Sequence, residues 1–99
     1  FKKMNLGLLL GPYDAESRPP CFEQMTKLCR KHPILKNALD NKIRQILEYP
    51  HRFKALRNDL AGEYRVHILS SLVLKYTIDE ARHKVIFVFF GHHDEAYRR

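Results

Sequence analysis

The stretches HRFKALRNDL (residues 51–60), YRVH (64–67) and GHHDEAYRR (91–99) hold the densest mixture of imidazoles and cations in the chain. Histidine can both take and give a proton near neutral pH, while lysine and arginine hold phosphate, arginine through a planar fork of donors. Cleavage of a phosphodiester by a neighbouring hydroxyl makes three demands. A proton leaves the attacking oxygen, charge is stabilised on the phosphorane, and a proton reaches the departing oxygen. His, Lys and Arg meet all three without a metal. Period-two parity puts Arg65 and His67 on one face of a strand, whereas the neighbours His92 and His93 face opposite ways in an extended chain, so at most one acts directly. Each residue also has a plainer use. His67 suits a surface or packed histidine, Arg57, Arg65, Arg98 and Arg99 suit solvated charges, and Tyr97 suits a cap on the sheet. As metal ligands, HHD with a distant His67 matches known spacings poorly, and the sequence has no CxxC pair. No metal and no other cofactor is expected.

The elements that must position these residues follow from periodicity. CFEQMTKLCRKHP puts Phe22, Met25, Leu28 and Cys29 on one face of a helix that Pro33 closes. ILKNALDNKIRQILEYP puts Leu35, Leu39, Ile43, Ile46 and Leu47 on one stripe of a second helix that stops before Pro50. From Tyr64 the period becomes two. YRVHIL, LVLKYTI and VIFVFF read as three strands of an antiparallel meander, with Ser70–Ser71 and DEARHK as turns and VIFVFF as a fully buried strand. MNLGLLLG suits an N-terminal edge strand, and PYDAESRPP is loop by composition. The expected fold class is α+β, a small antiparallel sheet packed against a two-helix hairpin.

With 99 residues, the chain fits one domain spanning residues 1–99. No segment approaches the ~18 apolar residues of a membrane span, so a cytoplasmic protein that does not engage a membrane is expected. The formal net charge is +7. Residues 1–50 carry nine basic and five acidic side chains, residues 51–99 nine and six, so the excess is no basic tail. Such a charge favours nucleic acid or an acidic protein as partner. Cys21 and Cys29, eight apart on one helix, lie about 12 Å apart along its axis and are expected to be reduced and half buried.

In order, FEQMTKLCRKHP, ILKNALDNKIRQILEYP, FKALRNDLAGEYRVHI, SLVLKY and FGHHDEAYR resemble the RelE/ParE superfamily of type II toxins, especially the RelE-like ribosome-dependent mRNA interferases. The resemblance covers roughly residues 22–99. The close of the chain is similar to the YafQ branch, with Gly91, His93 and Tyr97 at the matching positions. The resemblance implies that His93 is the general acid, that His67 matches that branch's histidine on the first meander strand, that Lys54 stands at its basic position before Leu-x-Gly, and that Arg65 supplies a cation near the scissile phosphate. Arg57, His92, Tyr97 and Arg98 are then expected to contact RNA. It further implies a toxin that cleaves mRNA on the ribosome, with mRNA, the ribosome and a cognate antitoxin as partners. The alternative is a ParE-like or catalytically degenerate relative that acts by binding a protein. Ser71 departs from the pattern, standing where YafQ-like toxins have a catalytic aspartate. Leu74 or Lys75 occupies the region where RelE itself has a functional arginine, and Gly11–Pro20 intervene where the family's first strand runs almost directly into its helix. The general base is left open by these departures.

Overall fold

The structure, a computed structural model, describes residues 2–3, 13–55 and 62–96. Among them a mixed sheet is built from β1 (Lys2–Lys3), β2 (Asp14–Ser17), β3 (Lys54–Ala55), β4 (Tyr64–Ile68), β5 (Leu72–Asp79) and β6 (Lys84–His92), in the order β1-β2-β6-β5-β4-β3. Helices α1 (Pro19–Cys29) and α2 (Pro33–Glu48) pack on the sheet, a short 3₁₀ helix (Pro50–Arg52) follows, and α3 (His93–Ala96) closes the described chain. The class is α+β, as the periodicity indicates.

The sheet is not wholly antiparallel. Asp14–Ser17 adds to β6 in parallel, with Ala15 opposite Val85 and Ser17 opposite Phe87. This corrects the assignment of PYDAESRPP to loop: composition sees the exposed or half-exposed Asp14 and Glu16, while the small Ala15 and Ser17 alternate with them and are buried. The strand expected at MNLGLLLG falls outside the described residues.

Both helices begin at proline, whose missing N–H is no loss in a first turn. The His32 side chain caps α2, its Nδ1 accepting from the Leu35 N–H at 3.2 Å. Leu35, Leu39, Ile43, Ile46 and Leu47, the stripe predicted for α2, are all buried. On α1, Cys21 and Met25 are buried while Phe22, Leu28 and Cys29 pack at the edge. Both cysteines are unbridged, and burial pushes the Cys21 thiol up to about 12 against a smaller lowering by Arg18. Opposite the helices' stripes lie Val66, Ile68, Leu72, Leu74, Tyr76, Val85, Phe87 and Phe90.

β6 departs from the uniformly buried strand expected of VIFVFF. Its burial alternates, Val85 and Phe87 being buried and Ile86, Val88 and Phe89 only partly so, and then Phe90 is buried again. The alternation reflects one face against the helices and one away from them, and its break is a β-bulge: Tyr76 faces Phe87 and Lys75 faces Phe89, which leaves Val88 as an extra residue. Beyond it the parity of β6 is reversed.

One end of the sheet is tied by side chains. Glu80, in the turn between β5 and β6, accepts from the Tyr13 hydroxyl at 3.0 Å and pairs with His51 Nε2 at 2.5 Å, while His51 Nδ1 lies 3.1 Å from Tyr64 Oη. Tyr64 stacks on Tyr76, with centroids 5.2 Å apart. The buried Tyr76 hydroxyl donates to the Pro50 carbonyl at 2.5 Å. Tyr76→Phe keeps the ring and strands that carbonyl, so we expect it to lower stability by about 1–2 kcal/mol. Urea denaturation measures this, and a change below 0.5 kcal/mol, taken here as roughly the scatter for neutral substitutions, would mean the bond contributes little.

Candidate active site

His67 lies on β4 and His93 begins α3, at the sheet end opposite the Glu80 tie. Their imidazoles stack face to face, with centroids 5.6 Å apart and planes inclined by 16°. Two features bring them together. The turn between β4 and β5, where Leu69 takes a left-handed φ of 57°, returns the chain so that Ile68 pairs with Leu72 and Leu72 with His92. The His93 N–H then donates to the Ser71 carbonyl at 2.9 Å, pinning the start of α3 to that turn. With Ser70, Ser71, His92 and Asp94, the two histidines line an open cleft of about 460 Å³. His67 and His93 are both exposed, so both rings are open to the cleft.

Asp94 Oδ1 lies 3.9 Å from His93 Nδ1, but its side chain is 97 % exposed, so this is a screened contact that orients more than it stabilises. Arg65 shares the His67 face of β4, two residues away, and the register sets it between Lys54 on β3 and Lys75 on β5. Lys54 is thus placed in the ladder beside Arg65 by its backbone. Arg57, Tyr97 and Arg98 lie outside the described residues. Among the described residues, no group of three or more His, Cys, Asp or Glu side chains is disposed to hold a metal.

What strand parity does not reveal is the wall of the cleft. Ser70 and Ser71 read as turn residues and Asp94 as part of a charged tail, yet all three line the cavity. The signal was present in the connectivity: in a meander the first turn lies at the same end as the close of the third strand. Lys75 was also obscured, since a lysine in a two-sided strand reads as solvent-facing, whereas here it is buried.

No family profile matches the chain. Among curated proteins, it is 38% identical over 87 residues to "Putative toxin RelE4" of Methanocaldococcus jannaschii, covering 88% of this chain and 93% of that one. It is 33% identical over 85 residues to an uncharacterised protein of Methanosarcina mazei, covering 86% and 99%. Among solved structures, the toxin–antitoxin complex RelBE2 from Mycobacterium tuberculosis aligns with a TM-score of 0.69 at 24% identity, over 84% of this chain and 93% of that chain. The isolated E. coli RelE toxin aligns at 0.67 and 22%, over 81% and 83%, and YafQ from E. coli BL21(DE3) at 0.60 and 17%, over 87% and 99%. These likenesses establish a shared fold, and the archaeal relative's identity over nearly its whole length carries more: the chain belongs to the RelE family of toxins.

Proposed function

We propose that the chain is a metal-independent endoribonuclease that cleaves mRNA, on the ribosome, by attack of a 2′-hydroxyl on the adjacent phosphate. The observation that carries this is the stacked His67–His93 pair in one open cleft. Rings 5.6 Å apart are close enough for one phosphodiester to span them, with a nitrogen of each serving a different oxygen at the usual reach of about 2.6–3.2 Å. In this mechanism His93 protonates the departing 5′-oxygen, His67 takes or orients the 2′-hydroxyl proton, and Arg65 with Lys54 holds the phosphate. His92, Arg57, Tyr97 and Arg98 contact the flanking RNA. Asp94 and the Ser71 carbonyl set the position of His93. With Ser71 at the aspartate position, the proton at the 2′-oxygen passes to His67.

The test is ribosome-programmed mRNA cleavage in the presence of EDTA, after confirming that the ribosomes remain intact. Cleavage should survive chelation. His93→Ala, checked to be folded, should slow it by about 10²- to 10⁴-fold, the usual contribution of a general acid, whereas His92→Ala should cost far less. Equal losses in the two variants would undo the assignment of roles.

A protein partner is proposed as well, a cognate antitoxin with an acidic or amphipathic segment that binds along the helical hairpin and the sheet edge. The net charge of +7 favours it, and an apolar groove of about 420 Å³ between α1 and α2, lined by Phe22, Met25, Leu39 and Ile43 with Arg30 and the Lys36–Asp40 pair at its rim, offers a seat. RelBE2, a structural neighbour, is a toxin–antitoxin complex. Co-expression with the adjacent gene should give a stable complex that spares the host. A chain that binds its partner but leaves mRNA intact would instead be a ParE-like, degenerate relative. Harmless expression alone, with nothing copurifying, would count against both.

A further inference from the structure

Among the described residues, Leu69 (φ 57°) and His83 (φ 53°) are the residues other than glycine that take a left-handed backbone. For an L-residue that conformation crowds Cβ against the following carbonyl and costs stability, least for glycine and asparagine. At His83 the fold gains something in return. Its ring stacks on Tyr13 with centroids 4.8 Å apart, and its carbonyl accepts from the Asp14 N–H at 2.9 Å, which ties β2 to the turn before β6. Leu69 is different. It is 49 % exposed and is no member of the core cluster or of the half-buried shell around it. A leucine here strains the backbone and leaves apolar surface in water, where glycine or asparagine would do neither.

The place of Leu69 in the fold supplies a use for it. Leu69 opens the turn whose other members, Ser70 and Ser71, line the histidine cleft, and it follows His67 by two residues. The other large apolar side chains exposed among the described residues, Ile34 and Tyr49, lie at the two ends of α2, so Leu69 alone of this group stands beside the cleft. Every side chain that lines the cleft is polar. Such a lining suits the oxygens of sugar and phosphate and leaves the flat faces of the bases unmatched. Those bases must nevertheless be held, because cleavage needs the 2′-oxygen in line with the bond to be broken. We propose that Leu69 is the base-positioning residue of the site: its side chain packs on the face of the nucleobase flanking the scissile phosphate, and the strained turn holds it out for that contact. The inference rests on the ribonuclease reading above. Packing on a base face, unlike hydrogen bonding to its edge, tolerates any sequence.

The experiment measures binding of non-cleavable 2′-O-methyl oligoribonucleotides to the full chain by fluorescence anisotropy, with a single abasic residue moved stepwise along the strand. For the unaltered chain, removing one particular base should weaken binding about tenfold, the order expected for one packed apolar contact. Leu69→Asn should bind the intact strand about tenfold more weakly, show no further loss at that abasic position, and keep the same salt slope, because no phosphate contact is lost. Leu69→Met, still apolar and able to repack, should stay within about threefold of the unaltered chain. In urea, Leu69→Asn should raise the unfolding midpoint by roughly 0.3–0.5 M as the strain is relieved. An abasic penalty that Leu69→Asn retains overturns the proposal. So does a Leu69→Asn protein that is less stable than the unaltered chain or does not fold, since the leucine would then serve the fold. Cleavage that depends on His93 with no abasic penalty at any position removes only the base contact, and a penalty that Leu69→Asn abolishes, without cleavage, removes only the nuclease.

Discussion

The placement of the candidate site hangs on one irregularity, the extra residue Val88 in the ladder between β5 and β6. Side chains along a strand alternate between faces, so one inserted residue exchanges the faces for everything that follows. Before the bulge, Val85 and Phe87 point to the helices; after it, Phe90 does. In an unbroken ladder Phe89 and Gly91 would take the helix side and the chain would leave the sheet with the opposite parity. The bulge turns Phe90 rather than Phe89 into the core and delivers His93 to the face where His67 stands. Packing and site geometry are therefore settled by the same residue.

This explains which parts of the fold were legible. The α2 stripe is a matter of local periodicity, and its five members are all buried as the spacing requires. The meander likewise follows from period two and turn chemistry. β2 was hidden because Asp14–Ser17 has no apolar alternation to detect, only small residues between charged ones, and because its partner lies far along the chain. The bulge was hidden for a different reason: in a run of six apolar residues, no polar side chain marks which face is which.

At the site, the histidines were legible from residue type and from Gly91-x-His93, while the backbone contact that positions one of them was not. The Ser71 carbonyl that receives the His93 N–H belongs to the main chain, so a hydrogen bond there carries no signature in residue identity. Lys75 shows the converse. Its side chain is conspicuous, but whether a lysine on a sheet is solvated or enclosed depends on what covers that face. The two ends of the sheet also differ in character. Around Glu80, hydrogen bonds join four segments of chain, at Tyr13, His51, Tyr64 and Glu80, whereas at the His67–His93 end the His93 N–H bonds the Ser71 carbonyl and the rings are exposed.

The parallel pairing of β2 with β6 bears on how the molecule is made. Ala15 and Val85 are partners seventy positions apart, and contacts of such separation form late because the intervening chain must first be closed into a loop. On a chain emerging from its N-terminus, α1 and α2 are complete long before β6 exists. Their stripes, with Leu35, Leu39 and Ile43 among them, then have no sheet to cover them. β6 is an interior strand with β2 on one side and β5 on the other, so the sheet cannot be assembled in order of synthesis and must wait for its third member in space, which is its last in time. A nascent chain with this topology thus has both helix segments synthesised before anything can cover their stripes, and the imidazole pair can come together only after β6 is in place.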